Sequence, residues 1–120
     1  MKRHLVLPYP PSANNYWRSV AVRAGPKWVA RVLKSEEARS YQKAVAAQLA
    51  GLAPETSEVV VEFHVYRPRR IGDLDNALKV LMDALKGFAF VDDSQVVQLS
   101  AHRHDDKQNP RVEVWVGARP

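Results

Sequence analysis

Hydrophobic and polar residues alternate in several short stretches of the chain. Residues 59–66 place Val or Phe at every odd position and Glu, His or Tyr at most even positions. Alternation of this kind predicts a strand with one buried face, which Pro68 would end. Residues 111–116 alternate in the same way and predict the last strand. Residues 3–7 and 95–101 are predicted as two further strands.

Two other stretches show the three- and four-residue spacing of amphipathic helices. The first covers residues 36–50, because Ser35 is a favourable N-cap, acidic residues fill the first turn, and Gly51 follows the end. The second begins after Asp73 and carries an apolar stripe at steps of four, three, four and three residues. The stripe consists of Leu74, Leu78, Leu81, Leu85 and Phe88.

The predicted elements follow the order β-α-β-α-β-β. This order predicts an α+β fold, in which a small mixed sheet carries both helices on one side. The last two strands are close in sequence, so we expect them to lie close together and antiparallel, joined by a loop at residues 105–110. Residues 12–34 mix basic and apolar positions around Gly25-Pro26 and predict a loose hairpin or a long loop. The length of 120 residues fits a single domain, residues 1–120.

Composition narrows the class of protein further. The chain contains no cysteine, which excludes disulfides and thiolate metal sites and fits a cytoplasmic protein. No apolar run is long enough to span a membrane, and the apolar part of the N-terminus is too short for a signal peptide. Five scattered glycines provide no phosphate-binding loop, so no small-molecule cofactor is expected.

Charge is distributed unevenly along the chain. The formal net charge is +5, and residues 1–34 contain seven Lys or Arg and no acidic residue. Residues 72–93 instead contain five Asp against two Lys, a local net charge of −3. A basic protein with one acidic segment indicates a nucleic-acid partner, provided that a cation occupies the acidic segment.

The acidic segment begins on the second helix. With Asp73 as the N-cap, the side chains of Asp75, Asn76, Lys79 and Asp83 project away from the apolar stripe. Taken singly, each carboxylate has a structural explanation as a helix cap, a helix-dipole partner or an i,i+4 ion pair. Taken together, they suit Mg²⁺, which prefers oxygen ligands and can activate water for phosphodiester cleavage. Asp92 and Asp93 follow the helix, and they reach its start only if the next strand runs back alongside.

Two sequence motifs resemble those of the RusA-type Holliday junction resolvases, which are often carried by phages and prophages. The segment RRIGDLDNALKVLMDALKGFAFVDDSQVV resembles the core of that family, and LPYPPSANNYWR is similar to its opening motif. The motifs occur in the family's order and separation, and the chain length fits the whole family domain. Ile71 and Gly72 stand where basic residues are common in relatives.

The resemblance implies a Mg²⁺-dependent homodimeric endonuclease that resolves four-way DNA junctions by paired symmetric nicks in recombination and repair. Asp73, Asp75 and Asp93 match the family's catalytic carboxylates and implied metal ligands, and Lys79 matches its catalytic lysine. Supporting roles are implied for Asn76, Asp83 and Asp92. The candidate contacts to DNA phosphates are Arg67, Arg69, Arg70, Lys79, Arg18 and Arg23. For Tyr16 and Trp17, packing in the core or at the dimer interface is favoured over stacking on splayed bases.

Two alternatives to this function remain open. The chain could be a branched nucleic-acid-binding module without catalysis, in which the aspartates cap the second helix and pair with arginines. A metal-dependent hydrolase of small phosphorylated molecules has weaker support. A separate soft-metal site at His102, His104, Asp105 and Asp106 would need further converging ligands, so we interpret this segment as a strand end and loop.

Overall fold

The computed structural model describes residues 2–70 and 72–120. Its elements, in chain order, are β1 (Arg3–Pro8), α1 (Ala13–Tyr16), β2 (Trp17–Ala24), β3 (Lys27–Lys34), α2 (Glu36–Leu49), β4 (Val59–Arg67), α3 (Leu74–Leu85), a short 3₁₀ helix (Asp93–Gln95), β5 (Val96–Asp105) and β6 (Arg111–Ala118). The predicted α+β class is confirmed. The structure adds the short helix α1, the 3₁₀ helix and four more residues at the end of β5.

The main sheet has four strands in the order β1-β6-β4-β5. Strand β5 pairs with β4 in parallel, whereas β6 runs antiparallel to both β4 and β1. The last two strands are therefore antiparallel, as expected, but they are not neighbours, because β4 lies between them. Strand β6 takes a central place because Val112, Val114 and Val116 are all fully buried, whereas β5 forms an edge with Val97 and Leu99 exposed.

Helices α2 and α3 pack on one face of this sheet. Ser35 caps α2 as predicted, since its hydroxyl accepts the backbone N–H of Ala38 at 3.1 Å. The buried residues of α2 are the predicted apolar ones, Ala38, Tyr41, Val45 and Leu49. In α3 the buried side is centred on Leu81 and Leu85, and Leu74, Leu78 and Phe88 pack at its margin. Both helices thus cover the inward-facing residues of β4 and β6.

Strands β2 and β3 form a separate hairpin, which decides between the two predictions for this segment. Ala24 pairs with Lys27, so the turn contains only Gly25 and Pro26. Gly25 has φ +62°, which a two-residue turn of the primed type requires at its first central position. Large apolar side chains on β3 stay exposed, among them Trp28 and Val32. The hairpin therefore adds little to the core.

The face of the main sheet opposite α2 and α3 is called the outer face below. Side chains at alternate positions of β4 and β6 point to it and are half-buried, as the alternating burial of both strands shows. All four histidines of the chain stand on this face. None of the helices in the described ranges combines the length and the apolar character required to cross a bilayer.

Candidate active site

The first two candidate carboxylates stand where β4 passes into α3. After Pro68 the chain turns, and Gly72 adopts φ +82°, a value that favours glycine. Asp73 occupies the N-cap position with an extended backbone, and Asp75 lies in the first turn of the helix. Both residues are exposed. The helix N-terminus is the end where negative charge is favourable, so the backbone supports this pair of carboxylates.

The second acidic pair lies at the opposite end of α3. Asp92 is the N-cap of the 3₁₀ helix, where its carboxylate accepts the Ser94 backbone N–H at 3.1 Å and Gln95 completes a capping box. Lys86 at the end of α3 forms an ion pair with Asp92 at 3.1 Å. Hydrogen bonds from Ser94 and the ammonium of Lys86 lower the pKa of Asp92 to about 2. Asp93 follows directly and is exposed.

The strand order explains why the two pairs are separated. Because β4 and β5 are parallel, α3 must run back between them in the opposite direction. Asp75 and Lys86 are eleven residues apart, which corresponds to about 16 Å along the helix axis. Strand β5 does run back alongside α3, but Asp93 precedes this strand and stays near the C-terminal end of the helix. In the described residues, the carboxylates of Asp73, Asp75 and Asp93 do not form a group within 4.8 Å of one another.

Hydrogen bonding divides the five aspartates of residues 72–93 into two kinds. The carboxylate of Asp83 accepts the Tyr16 hydroxyl at 2.8 Å and the Gln42 amide at 2.9 Å, and Lys34 lies 3.1 Å from it. Asp92 is held by Ser94 and Lys86 as described above. Within residues 2–70 and 72–120, the remaining three show no hydrogen bond or ion pair through their carboxylates. These three are Asp73, Asp75 and Asp93.

Two clefts border the face of α3 that carries these residues. The first, called the Asp73 cleft, contains Asp73 and Asn76 together with Arg69, Arg103 and the N-terminal segment from Tyr9 to Asn15. The second, called the Asp93 cleft, contains Asp93 and Lys79 together with Trp17, Met82 and Lys86. The structure therefore brings Lys79 to Asp93, and it brings the N-terminal proline segment to Asp73.

The arginines that precede α3 differ in how strongly they are engaged. The guanidinium of Arg67 is hydrogen bonded to Asp105, and its side chain is only 15% exposed. Arg70 lies 3.4 Å from the same carboxylate but is 84% exposed. Arg69 is exposed and borders the Asp73 cleft. Arg69 and Arg70 can therefore reach a phosphate more readily than Arg67, and Ile71 lies outside the described residues.

The other predicted cations stand on the hairpin or on α3. Arg18 and Arg23 are exposed on β2, and the guanidinium of Arg23 lies 5.4 Å from the ring centroid of Trp28. Lys79 is exposed four residues after Asp75, on the same side of α3. Exposed cations thus border both clefts, Arg69 the first and Lys79 the second, whereas Arg18 lines a separate pocket with Tyr9.

A family model described as Endodeoxyribonuclease RusA matches residues 8–117, which is most of the chain. The chain belongs to the RusA endodeoxyribonuclease family. A relative from Enterobacteria phage 82, named Crossover junction endodeoxyribonuclease rusA, is 30% identical over 118 residues. The alignment covers 94% of this chain and 92% of that relative. The resemblance inferred from the two sequence motifs is confirmed.

The match to the RusA family includes both acidic pairs and both clefts. It begins at Pro8, the last residue of β1, and ends at Gly117 in β6. The proline-rich opening motif, residues 7–18, and the aspartate motif, which begins at residue 69, are separated by 50 residues, yet residues of both border the Asp73 cleft. Their contact gives a physical reason for the occurrence of both motifs in one RusA-family chain.

Sequence reasoning missed one cation that borders the site. It did favour the correct role, packing, for Tyr16. Arg103 on β5 borders the Asp73 cleft and donates a hydrogen bond to the Gly72 carbonyl at 2.8 Å. Nothing in its local sequence indicated this, because the contact depends on the parallel pairing of β5 with β4. Tyr16 is fully buried and Trp17 is half-buried against the core. Packing, the favoured interpretation, is thus the role of Tyr16.

Proposed function

We propose that this chain is a Mg²⁺-dependent endonuclease that acts as a homodimer on four-way DNA junctions and nicks two opposing strands symmetrically. Membership of the RusA family supports nuclease activity. The observation that carries the proposal further is the contrast among the aspartates. Asp73, Asp75 and Asp93 are exposed and show no side-chain partner in the described residues, whereas Asp83 and Asp92 are engaged in structural contacts.

The donor atoms at the start of α3 fit Mg²⁺ by their chemistry. Asp73 and Asp75 offer carboxylate oxygens and Asn76 an amide oxygen, which are the ligand types that this hard cation prefers. Capping alone does not account for Asp73, because its side chain makes no cap hydrogen bond. When bound, Mg²⁺ would polarise the scissile phosphate and activate a water molecule. Asp73, Asp75 and Asp93 would hold the ion, with Asn76 and Asp92 as supporting residues.

Lys79 is suited to stabilise charge on the reacting phosphate. Its side chain shares the Asp93 cleft and stands one helical turn from Asp75. An ammonium placed there can interact with the negative charge that grows on the phosphate oxygens as the bond breaks. Asp83 supports the site indirectly, since its contacts to Tyr16, Gln42 and Lys34 fix α3 against α1, α2 and β3.

Basic side chains would position the branched DNA around the two clefts. Arg69 borders the Asp73 cleft, the exposed Arg70 follows it, and Arg18 and Arg23 lie on β2. Such contacts bind phosphates and carry no sequence information, which suits a substrate recognised by its branched shape. Arg67 would serve mainly to orient the arginine segment through its bond to Asp105.

A two-fold homodimer matches the symmetry of the substrate. A four-way junction presents two equivalent strands, and two identical sites related by a two-fold axis can cut both. A dimer would also explain why Asp93 is separated from Asp73 and Asp75 along α3 within one subunit. Asp93 of the partner subunit could complete the ligand set of Asp73 and Asp75 if the two α3 helices approach each other in the dimer.

A strand-mapped cleavage assay on a mobile four-way junction tests the proposal. Wild-type protein should nick two opposing strands with Mg²⁺ and neither strand when EDTA replaces the metal. Asp75→Asn should bind the junction with wild-type affinity in a gel-shift assay but leave it uncut. Lys79→Ala should slow cleavage by on the order of 10²–10³-fold, the usual effect of losing one electrostatic contact to the transition state.

The opposite results would contradict specific parts of the proposal. Cleavage by Asp75→Asn at the wild-type rate would remove Asp75 from the metal site. Tight junction binding by wild type with no cleavage at any Mg²⁺ concentration would favour the alternative, a non-catalytic branched nucleic-acid-binding module. Matched linear duplex of the same length is the control for selectivity, and it should be bound more weakly and left intact.

A further inference from the structure

Three side chains converge on one point of the outer face, on the side of the sheet opposite α3. Glu62 and His64 are two residues apart on β4 and therefore point to the same face. His102 on β5 is the parallel register partner of His64. One potential ligand atom from each of the three lies within 4.8 Å of the other two. Among the described residues, this is the group that satisfies such a criterion.

The spacing of these atoms suits a tetrahedral metal ion. With metal–ligand bonds of 2.0–2.1 Å, the donor atoms of a tetrahedral site lie roughly 3.3 Å apart. The His64 Nε2 and Glu62 Oε2 atoms are 2.8 Å apart, and the rings of His64 and His102 are stacked at 4.6 Å between centroids. The three donor atoms, all within 4.8 Å of one another, therefore lie near the spacing that a tetrahedral site requires.

A third histidine, His104, supplies the outer contact that metal-bound imidazoles usually have. The Nδ1 atom of His64 lies 2.9 Å from the Nε2 atom of His104. If His64 donates its Nδ1–H to His104, its Nε2 atom carries the lone pair that a metal needs. His104 is in turn stacked on Tyr66, with ring centroids 4.6 Å apart, which fixes its orientation.

We propose that Glu62, His64 and His102 form a binding site for one Zn²⁺ ion on the outer face, separate from the candidate nuclease site. Two imidazoles and one carboxylate are a donor set that selects Zn²⁺ and similar first-row ions rather than Mg²⁺. Three protein ligands leave the remaining position to water. The side chains of Glu62 and His64 are 38% and 21% exposed, so a hydrated ion can enter from solvent.

Sequence reasoning had rejected a soft-metal site in this part of the chain because His102 and His104 lacked further ligands. The missing ligands come from β4, about 40 residues earlier in the sequence. Parallel pairing of β4 with β5 is the step that brings them together. The ion would join the edge strand β5 to the central strand β4, so its binding should stabilise the folded sheet.

Titration of Zn²⁺ into metal-free, tag-free protein at pH 7.5 tests the proposal. Isothermal titration calorimetry should show one ion per chain, and Zn²⁺ should raise the midpoint of thermal unfolding. His102→Ala and the nearly isosteric Glu62→Gln should both abolish the stoichiometric binding. His104→Ala should weaken it by about 10–100-fold, the usual effect of removing an outer hydrogen-bond partner.

His4→Ala is the matched control, because His4 lies on the same face but outside the group and is paired with Glu113. It should bind Zn²⁺ as wild type does. Asp75→Asn should also keep full Zn²⁺ affinity, which separates this site from the nuclease site. Absence of stoichiometric binding in wild type, or equal loss of affinity in His4→Ala and His102→Ala, would overturn the proposal.

Discussion

Asp83 and Asp93 show how differently two aspartates of one acidic segment can be used. The carboxylate of Asp83 is the acceptor for the buried hydroxyl of Tyr16 and lies within reach of Gln42 and Lys34. Burial and this contact raise the pKa of Tyr16, so the hydroxyl remains a donor at all physiological pH values. Asp93 is exposed and shows no such contact in the described part of the chain.

This difference predicts opposite effects of the same substitution. Asp83→Ala should lower the free energy of unfolding by about 1–3 kcal/mol, because the Tyr16 hydroxyl is left buried without its acceptor. Asp93→Ala should stay within about 0.5 kcal/mol of wild type, as surface substitutions usually do, while it abolishes junction cleavage. Urea denaturation followed by circular dichroism measures the first quantity.

The two variants control for each other. If the urea midpoint of unfolding of Asp83→Ala equals that of wild type, Asp83 does not hold α3 in place as described. If Asp93→Ala is as unstable as Asp83→Ala, its loss of cleavage cannot be attributed to the active site.

At the scale of single elements, local signals in the sequence were sufficient for most of the helices and strands. Capping by Ser35 and the apolar spacing after it set the start and the buried side of α2 correctly. The alternation of apolar and polar residues correctly predicted which side chains of β4 face the core. Local patterns could not give the strand order. Whether β6 pairs with β4 or with β5 depends on which strands lie in the centre of the sheet, with a neighbour on each side, and this is decided by contacts between distant parts of the chain.

The turn after α3 has a pH dependence that follows from its contacts. Ser94 makes the largest contribution to the low pKa of Asp92, and Lys86 the next. The folded pKa of about 2 lies below the ordinary value of 3.8. The carboxylate therefore stabilises the fold above about pH 4, and this contribution is lost as the pH falls towards 2.

Two substitutions test the order of these contributions. Ser94→Ala should raise the pKa of Asp92 more than Lys86→Ala does, and both variants should lose less stability than wild type on acidification from pH 4 to pH 2. Carboxyl ¹³C chemical shifts followed by NMR through an acid titration give the pKa directly. A larger rise in Lys86→Ala would show that the ion pair, rather than the capping hydrogen bonds, controls this carboxylate.

At the scale of the whole molecule, the two candidate sites depend on the same crossover. Passage of the chain from β4 through α3 to β5 places His102 beside His64 on the outer face. The same passage keeps Asp93 at the far end of α3 from Asp73 and Asp75. The sequence motif predicted which carboxylates matter to the RusA family, but it could not predict whether one subunit assembles them, because that depends on the direction of the crossover.

The separation along α3 leads to a prediction about the proposed homodimer. Ligands of one Mg²⁺ ion lie 2.0–2.1 Å from it, so two carboxylate oxygens that share the ion are at most about 4 Å apart. Asp75 and Lys86 are about 16 Å apart along the helix axis, and Lys86 is paired with Asp92, the neighbour of Asp93. We therefore expect each site to combine Asp73 and Asp75 of one subunit with Asp93 of the partner subunit.

A heterodimer of an Asp75→Asn subunit and an Asp93→Asn subunit distinguishes the two arrangements. If the subunits share their sites, one site contains both substitutions and the other contains neither, so the heterodimer should nick one strand of the junction. If each site is formed within one subunit, both sites carry a substitution and the heterodimer should be inactive. Differently tagged subunits allow the heterodimer to be purified, and the two variant homodimers, each expected to be inactive, are the controls. An inactive heterodimer that still binds the junction would show that Asp93 acts within its own subunit, and α3 and the turn after it would then have to move when DNA binds.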